Sequence, residues 1–203
     1  MQWLKRSYDS AGLTQYPTGQ YLSAVQAALG GSVILCLDVS GSMSIYDRLP
    51  QAVEGCQLFC AEALSLGYSI GVVLWHHDIA GSTHGLSRED RDAKRLLLSA
   101  LPRGGNDIVP TLRYCEDLLD GQIGDRVIAI FGDGDLGDTA TAISEARRLL
   151  EKNIRVITCG LGYESAQQLG AIDSASSATP RVANAGDIAG AIAGMASSLK
   201  RRV

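Results

Sequence analysis

The sequence lacks the features that mark nucleic-acid-binding, membrane-spanning and secreted proteins. Its net charge is −4, and its one basic cluster, at 200–202, stands at the end of a predicted helix, whereas a nucleic-acid interface needs a concentrated basic face. No stretch approaches the ~20 apolar residues of a transmembrane helix. No apolar segment follows Lys5-Arg6, as it would in a signal peptide. These absences predict a cytoplasmic protein that binds neither nucleic acid nor a membrane.

The five cysteines show no spacing typical of a disulfide framework. Cys56 and Cys60 lie four residues apart on one face of a predicted helix, but neither a second pair nor a histidine partner accompanies them. This spacing favours buried packing over metal binding. Free thiols agree with a reducing cytoplasm.

Strand and helix patterns alternate along the 203 residues, a length typical of one domain. We predict an α/β fold with a three-layer, Rossmann-like, doubly wound sheet and helices on both faces. The sheet is expected to be mostly parallel, with one antiparallel edge strand at 79–85. Residues 1–30 are expected to form an N-terminal arm and helix that pack on a domain spanning 31–203. Further predicted strands are 33–38, 69–75, 126–131, 154–159 and 181–183, and the main predicted helices are 48–66, 108–119, 139–151, 163–170 and 187–200.

The segment from Ser87 to Asp90 approximates a capping box, with aspartate in place of the usual glutamate or glutamine. It predicts the start of a further charged helix that reaches about Ala100, before Pro102 ends it.

Residues 33–42 combine a short apolar strand with three oxygen-bearing side chains. The strand ends at Asp38, and Ser40 and Ser42 follow at spacings of two. Carboxylate and hydroxyl oxygens without imidazole or thiolate suit a hard cation, Mg²⁺ before Zn²⁺. The same residue types are common in ordinary turns at strand ends, so the spacing alone leaves both interpretations open.

Two further segments extend this pattern. Residues 127–135 form another short apolar strand that ends at Asp133, between two glycines. Earlier in the chain, Gly104-Gly105-Asn106-Asp107 forms a turn that leads into the helix predicted at 108–119. An Asp-x-Ser-x-Ser loop, a Gly-Gly-x-Asp turn and a strand ending in Asp-Gly, in this order, resemble the von Willebrand factor A (VWA) domain family. The resemblance covers roughly residues 30–200.

The resemblance implies a metal-ion-dependent adhesion site. Asp38, Ser40 and Ser42 would be its first-loop ligands, and Asp133 would be the distal carboxylate. Where the family most often has a threonine in the middle loop, this chain has Asn106. The amide oxygen of asparagine is also a hard ligand, on a longer side chain.

Other polar residues are expected around this site. Asp107 is the alternative source of the middle-loop oxygen, because Thr111 falls inside the predicted helix. Asp135 and Asp138 follow Asp133 closely and are expected either as outer carboxylates or as turn and helix-cap residues.

The implied function is that of a non-catalytic interaction domain. A Mg²⁺ ion, or Mn²⁺ or Ca²⁺, would keep a coordination position for an aspartate or glutamate of another protein. His76, His77 and Asp138 are expected at the partner-binding rim. Intracellular relatives often work with AAA+ ATPases or in multi-component assemblies, so the resemblance implies such a partner, and the small size suggests a microbial source.

Two alternatives remain open at this point. A metal-free VWA-fold scaffold would follow if Asn106 does not bind the ion. A Mg²⁺-dependent phosphotransferase or hydrolase is a second alternative. Arg103 is the only cation in the three loops that could clamp a phosphate. The loop after the first strand also lacks both the Walker lysine and a G-x-G-x-x-G pattern.

Overall fold

The structure, a computed structural model, describes residues 30–175, 180–184 and 186–199. The predicted N-terminal arm and helix lie outside the described residues, apart from residue 30. The strands are β1 (Gly31–Asp38), β2 (Tyr68–Trp75), β3 (Ile79–Ser82), β4 (Asp125–Gly132), β5 (Ile154–Leu161) and β6 (Val182–Ala183). The α-helices are α1 (Arg48–Ser65), α2 (Arg91–Leu98), α3 (Val109–Leu119), α4 (Thr139–Glu151), α5 (Tyr163–Gly170) and α6 (Ile188–Gly194). Two 3-10 helices span Gly41–Asp47 and Met195–Leu199.

The strands form one six-stranded sheet with the order β3-β2-β1-β4-β5-β6. All neighbouring pairs are parallel except β2 and β3, which pair antiparallel. The predicted doubly wound sheet with one antiparallel edge strand is therefore confirmed, although β3 is shorter than the predicted 79–85. None of the helices within the described ranges is long and apolar enough to span a membrane.

The strand β1 lies at the centre of the three layers. Val33, Leu35 and Leu37 pack with α1, α2 and α6 on one face of the sheet. Ile34 and Cys36 pack with α3, α4 and α5 on the other face. Because both faces of a parallel sheet are covered by helices, its central strands read as continuous apolar runs. That is the pattern of residues 33–37.

The predicted capping box at Ser87 is wrong. The helix α2 begins only at Arg91, and its N-cap residue, Asp90, makes no side-chain cap hydrogen bond. Ser87 instead pairs its backbone with Ile70 of β2 through two N–H···O bonds of 2.8 Å. Its hydroxyl accepts a hydrogen bond from the Glu89 N–H at 3.0 Å. Ser87, which the local sequence assigns to the start of the helix, is thus held by tertiary pairing with β2 instead.

The helix predicted at 187–200 also differs in form. It is α-helical only to Gly194 and continues as a 3-10 helix to Leu199. Glycines at 190 and 194 lower the helix propensity of this segment.

Candidate functional site

The candidate site lies where the winding direction of the sheet reverses. The strand β1 pairs in parallel with β2 on one side and with β4 on the other. The crossover from β1 leads to β2, whereas β4 continues the sheet in the opposite direction. Loops that follow such neighbouring strands separate at their carboxyl ends and leave a crevice. The loops after β1 and β4 meet at this point.

The loop after β1 brings three oxygen-bearing side chains together. Asp38 is fully buried, and its Oδ1 accepts a hydrogen bond from the backbone N–H of Ser40 at 2.7 Å. The hydroxyls of Ser40 and Ser42 lie 3.0 Å apart. The loop therefore places the two hydroxyls side by side and holds the Asp38 carboxylate on the backbone of Ser40.

Asp133 joins this cluster from the end of β4. Its backbone N–H donates to Asp38 Oδ2 at 3.2 Å. Burial first, and then the nearby Asp133 carboxylate, raise the pKa of Asp38 to about 7. Within the described ranges, no lysine, arginine or histidine forms an ion pair with either carboxylate. The site thus holds two neighbouring carboxylates without a protein counter-charge.

Gly132, the residue before Asp133, has no side chain, and the Asp38 carboxylate occupies the space that a side chain would fill. A Cβ atom at Gly132 would lie 2.8 Å from Asp38 Oδ2 and 3.2 Å from the Trp75 ring. Only glycine fits at this close approach. Gly132 is a site residue that the sequence reasoning missed, although the Gly-Asp-Gly pattern contained the signal.

The middle loop is held against the first loop by backbone hydrogen bonds. The N–H of Arg103 donates to Val39 O at 2.7 Å, and the N–H of Gly41 donates to Gly104 O at 3.3 Å. The N–H of Asp107 donates to His76 O at 3.0 Å. These bonds fix the position of the turn that carries Asn106.

Two polar atoms near this turn have no hydrogen-bond partner among the described residues. They are Oδ1 of Asn106 and Oγ1 of Thr111, both buried. A buried acceptor without a partner costs roughly 1–3 kcal/mol, so such atoms are rare unless a ligand or ion satisfies them. Thr111 lies in the first turn of α3, as predicted. Asn106 lies in the loop that precedes this helix.

The outer aspartates make local structural contacts. Asp107 Oδ1 accepts from the N–H of Val109 at 3.0 Å, at the start of α3. Asp135 Oδ1 accepts from the N–H of Gly137 at 3.0 Å, within its own loop. Each aspartate keeps its second carboxylate oxygen free of any hydrogen bond shown within the described ranges.

Asp138 is the N-cap of α4, which begins at Thr139. It accepts hydrogen bonds from the Thr141 N–H at 3.1 Å and from the Thr141 hydroxyl at 2.6 Å. These bonds hold the pKa of the exposed Asp138 carboxyl below its usual value. Asp138 was predicted as an outer carboxylate, as a turn or helix-cap residue and as part of the partner-binding rim, and its contacts show the cap.

His76 and His77 stack on each other with ring centroids 4.3 Å apart and an interplanar angle of 17°. They lie against the middle loop, because a Cβ at Gly104 would come within 2.9 Å of His77 Nδ1. His76 Nδ1 accepts from the Asp78 N–H at 3.0 Å. Burial lowers the pKa of His76, and His77 and Arg103 lower it further.

The donor set fits a hard divalent cation. All five candidate ligands present oxygen, from two carboxylates, two hydroxyls and one amide: Asp38, Asp133, Ser40, Ser42 and Asn106. Within residues 30–175, 180–184 and 186–199, no cluster of three or more histidine, cysteine, aspartate or glutamate side chains could hold an ion.

Comparison with known proteins gives a family and several structural neighbours. Residues 27–188 match the family model described as a VWA domain containing CoxE-like protein. The conserved hypothetical protein BatB from Bacteroides thetaiotaomicron is 25% identical over 66% of this chain and 67% of its own, with a TM-score of 0.59. No match is found among curated protein sequences.

Two further solved structures share the fold. The vWF domain of the type V pili tip protein Mfa5 from Porphyromonas gingivalis aligns with 87% of this chain and 98% of its own, at 12% identity and a TM-score of 0.72. An aerotolerance-related membrane protein from Bacteroides fragilis aligns with 64% of this chain and 67% of its own, at 21% identity and a TM-score of 0.57.

Proposed function

Since the chain belongs to the family of CoxE-like proteins with a VWA domain, we propose that it recruits a partner protein through a bound divalent cation. The cation is of the Mg²⁺ type, with Mn²⁺ or Ca²⁺ as substitutes. An aspartate or glutamate of the partner completes its coordination. The domain itself is non-catalytic.

The proposal rests on the oxygens at the strand ends, which lack a compensating positive charge or hydrogen-bond donor among the described residues. Among the described residues, no cation pairs with Asp38, which is buried beside Asp133, and no donor reaches the buried amide oxygen of Asn106. One divalent cation would compensate both deficits at once, because it neutralises carboxylates and accepts lone pairs from amide oxygens. A turn that served only to connect strands and helices would gain nothing from this arrangement.

The candidate ligands come from three loops. Asp38, Ser40 and Ser42 hold the ion from the first loop, Asn106 from the middle loop and Asp133 from the last. Asp107 and Asp135 keep one oxygen each for water or for alternate ligation. The hydrogen bonds between the loops keep these oxygens in place before the ion arrives, so little loop ordering opposes binding.

We infer a cytoplasmic, bacterial protein whose partner belongs to an AAA+ or multi-component assembly. The five cysteines, all free and buried, agree with a reducing compartment. The family and the VWA-fold neighbours support interaction with proteins in general, and the identity of the partner is part of the proposal.

The test is thermal unfolding of the wild type and of Asp133→Ala, each in EDTA and in a Mn²⁺ or Mg²⁺ series. Metal at 100 times its dissociation constant stabilises a protein by about 2.7 kcal/mol. For a chain of this size, that raises Tm by roughly 5–10 °C. We expect this rise for the wild type and not for Asp133→Ala. Asp138→Ala is the matched control, since it removes an exposed carboxylate whose contacts are those of the α4 cap, and it should keep the rise.

Equal midpoints in EDTA and in metal for the wild type would contradict the metal site. The domain would then be a metal-free scaffold of the same fold. A rise of the same size in Asp133→Ala would show that the ion binds elsewhere on the chain.

A further inference from the structure

Arg103 is the single lysine or arginine in the four loops that surround the candidate metal site, residues 39–47, 76–78, 101–108 and 132–138. The same loops carry six aspartates, which are Asp47, Asp78, Asp107, Asp133, Asp135 and Asp138. A carboxylate that approaches this edge meets a negative field that one divalent cation only partly offsets. The position of the one basic side chain therefore matters for any acidic partner.

The backbone of Arg103 is fixed directly on the first metal-binding loop. Its N–H donates to Val39 O at 2.7 Å, and the next residue, Gly104, accepts from the N–H of Gly41 at 3.3 Å. Val39 and Gly41 flank Ser40. The arginine thus projects from a residue that is tied to the loop carrying three of the five candidate ligands.

The side chain of Arg103 is exposed and available. Arg103 forms none of the ion pairs found within the described part of the chain. The charge of Arg103 helps to lower the pKa of His76, although burial and the charge of His77 are the larger causes. The adjacent Gly104 lies against the stacked histidines, since a Cβ there would come within 2.9 Å of His77 Nδ1, so Arg103 stands on that side of the loop cluster.

We propose that Arg103 binds a second acidic side chain of the partner while the first completes the coordination of the metal. The partner segment would then carry two acidic residues, one for each contact. This inference rests on the proposed function, because the first contact is the metal-bound carboxylate.

The chemistry of the two contacts makes them complementary. Guanidinium presents a planar fork of donors that matches a carboxylate, which a point charge such as lysine does not reproduce. A contact at the solvent-exposed rim contributes modestly, up to about fivefold in affinity for typical exposed pairs, and is weakened by salt. We therefore expect Arg103 to select among acidic segments, while the metal supplies the larger share of the affinity.

Acetylated and amidated glycine peptides provide the probe. One peptide contains a single aspartate, and the others contain two aspartates separated by zero to three glycines. Binding to the Mn²⁺-loaded full chain is measured by calorimetry at low salt and in 0.5 M NaCl. For each protein variant, the readout is the ratio of the affinity for the best two-acid peptide to that for the one-acid peptide.

We expect a ratio of about 5 for the wild type at low salt, which is the statistical factor of about 2 multiplied by about 2.5 from the Arg103 contact, or about 0.5 kcal/mol. In Arg103→Gln the ratio should fall to about 2, the statistical value for two equivalent acids on one metal. Arg103→Lys should give an intermediate ratio. Because each ratio is taken within one variant, a general loss of affinity or stability cancels.

Arg91→Gln is the matched control, since it removes the same charge from an exposed arginine. Arg91 begins α2 four residues after Ser87, which pairs with Ile70 near the opposite end of β2. This variant should keep the wild-type ratio, and its loss there would show a general charge effect and overturn the inference.

The outcomes separate the two proposals. If Mn²⁺ or the one-acid peptide does not bind, the proposed function fails and this inference fails with it. If the one-acid peptide binds in a Mn²⁺-dependent manner but the wild-type ratio is about 2, the proposed function stands and the role of Arg103 is refuted. A ratio unchanged by Arg103→Gln refutes it as well.

Discussion

Replacing Asp38 by asparagine should stabilise the metal-free protein while it abolishes metal binding. Asp38 is fully buried, and its pKa is raised to about 7 from the ordinary value of 3.8, first by burial and then by Asp133. At pH 8 the Asp38 carboxyl of the metal-free wild type is ionised although it is buried next to Asp133, and this lowers the free energy of unfolding. Asparagine has nearly the same shape and carries no charge, so it removes that cost.

The magnitude follows from the pKa shift. A rise of roughly three units corresponds to about 4 kcal/mol at pH 8. The carboxylate accepts N–H bonds from Ser40 and Asp133, and losing one of them offsets about 1 kcal/mol. We expect a net gain of about 3 kcal/mol for Asp38→Asn in EDTA, or roughly 6–12 °C in Tm for a chain of this length.

The pH dependence has a definite sign. A carboxyl with a raised pKa in the folded state contributes stability below its unfolded pKa, and that contribution is lost as the pH rises to about 7. The difference in Tm between Asp38→Asn and the wild type should therefore be largest at pH 8 and shrink toward pH 4. All other titrating groups are common to both proteins, so the difference reports on Asp38 together with its interaction with Asp133.

The assay is circular dichroism melting of both proteins at several pH values, in EDTA and in saturating Mn²⁺. With Mn²⁺ at 1,000 times its dissociation constant, which stabilises the wild type by about 4.1 kcal/mol, the order at pH 8 should reverse, because only the wild type gains stability from the ion. A variant that melts at or below the wild-type temperature in EDTA at pH 8 would refute the electrostatic reasoning. So would a difference that does not change with pH.

Three further predictions test the same structure. Gly132→Ala places a Cβ 2.8 Å from Asp38 Oδ2, so Mn²⁺ binding measured by electron paramagnetic resonance should weaken at least tenfold; unchanged binding would contradict the close approach of Gly132 to the Asp38 carboxylate. Asp138→Ala removes the cap of α4 and should lower Tm by a few degrees without changing Mn²⁺ affinity, whereas a loss of affinity would place Asp138 in the site. The thiols should react with Ellman's reagent at pH 8 only after denaturation, since all are buried and burial raises the pKa of four of them, namely Cys56, Cys60, Cys115 and Cys159.

Much of the fold follows from local pattern. The apolar run at 33–37 predicts a strand buried on both faces, and both faces of β1 are covered by helices. The cap at Asp138 and the helix after it are also visible in the sequence, because capping depends on residues within one turn. Ser87 shows the limit of this reasoning. Its pairing with Ile70 depends on a strand 17 residues earlier in the chain.

The candidate site also has one part that the local sequence determines and one part that depends on the tertiary structure. The sequence by itself determines which oxygens follow each strand, since Asp38, Ser40 and Ser42 come from one short loop and their spacing brings them together. Only the tertiary structure decides that Asp133 approaches Asp38, that Asn106 Oδ1 is buried without a donor from the described part of the chain, and that Arg103 is tied to Val39. The physical reason is that these relations join segments tens of residues apart. Strand order, burial and backbone hydrogen bonds between loops set such relations, and no local spacing in the chain encodes them.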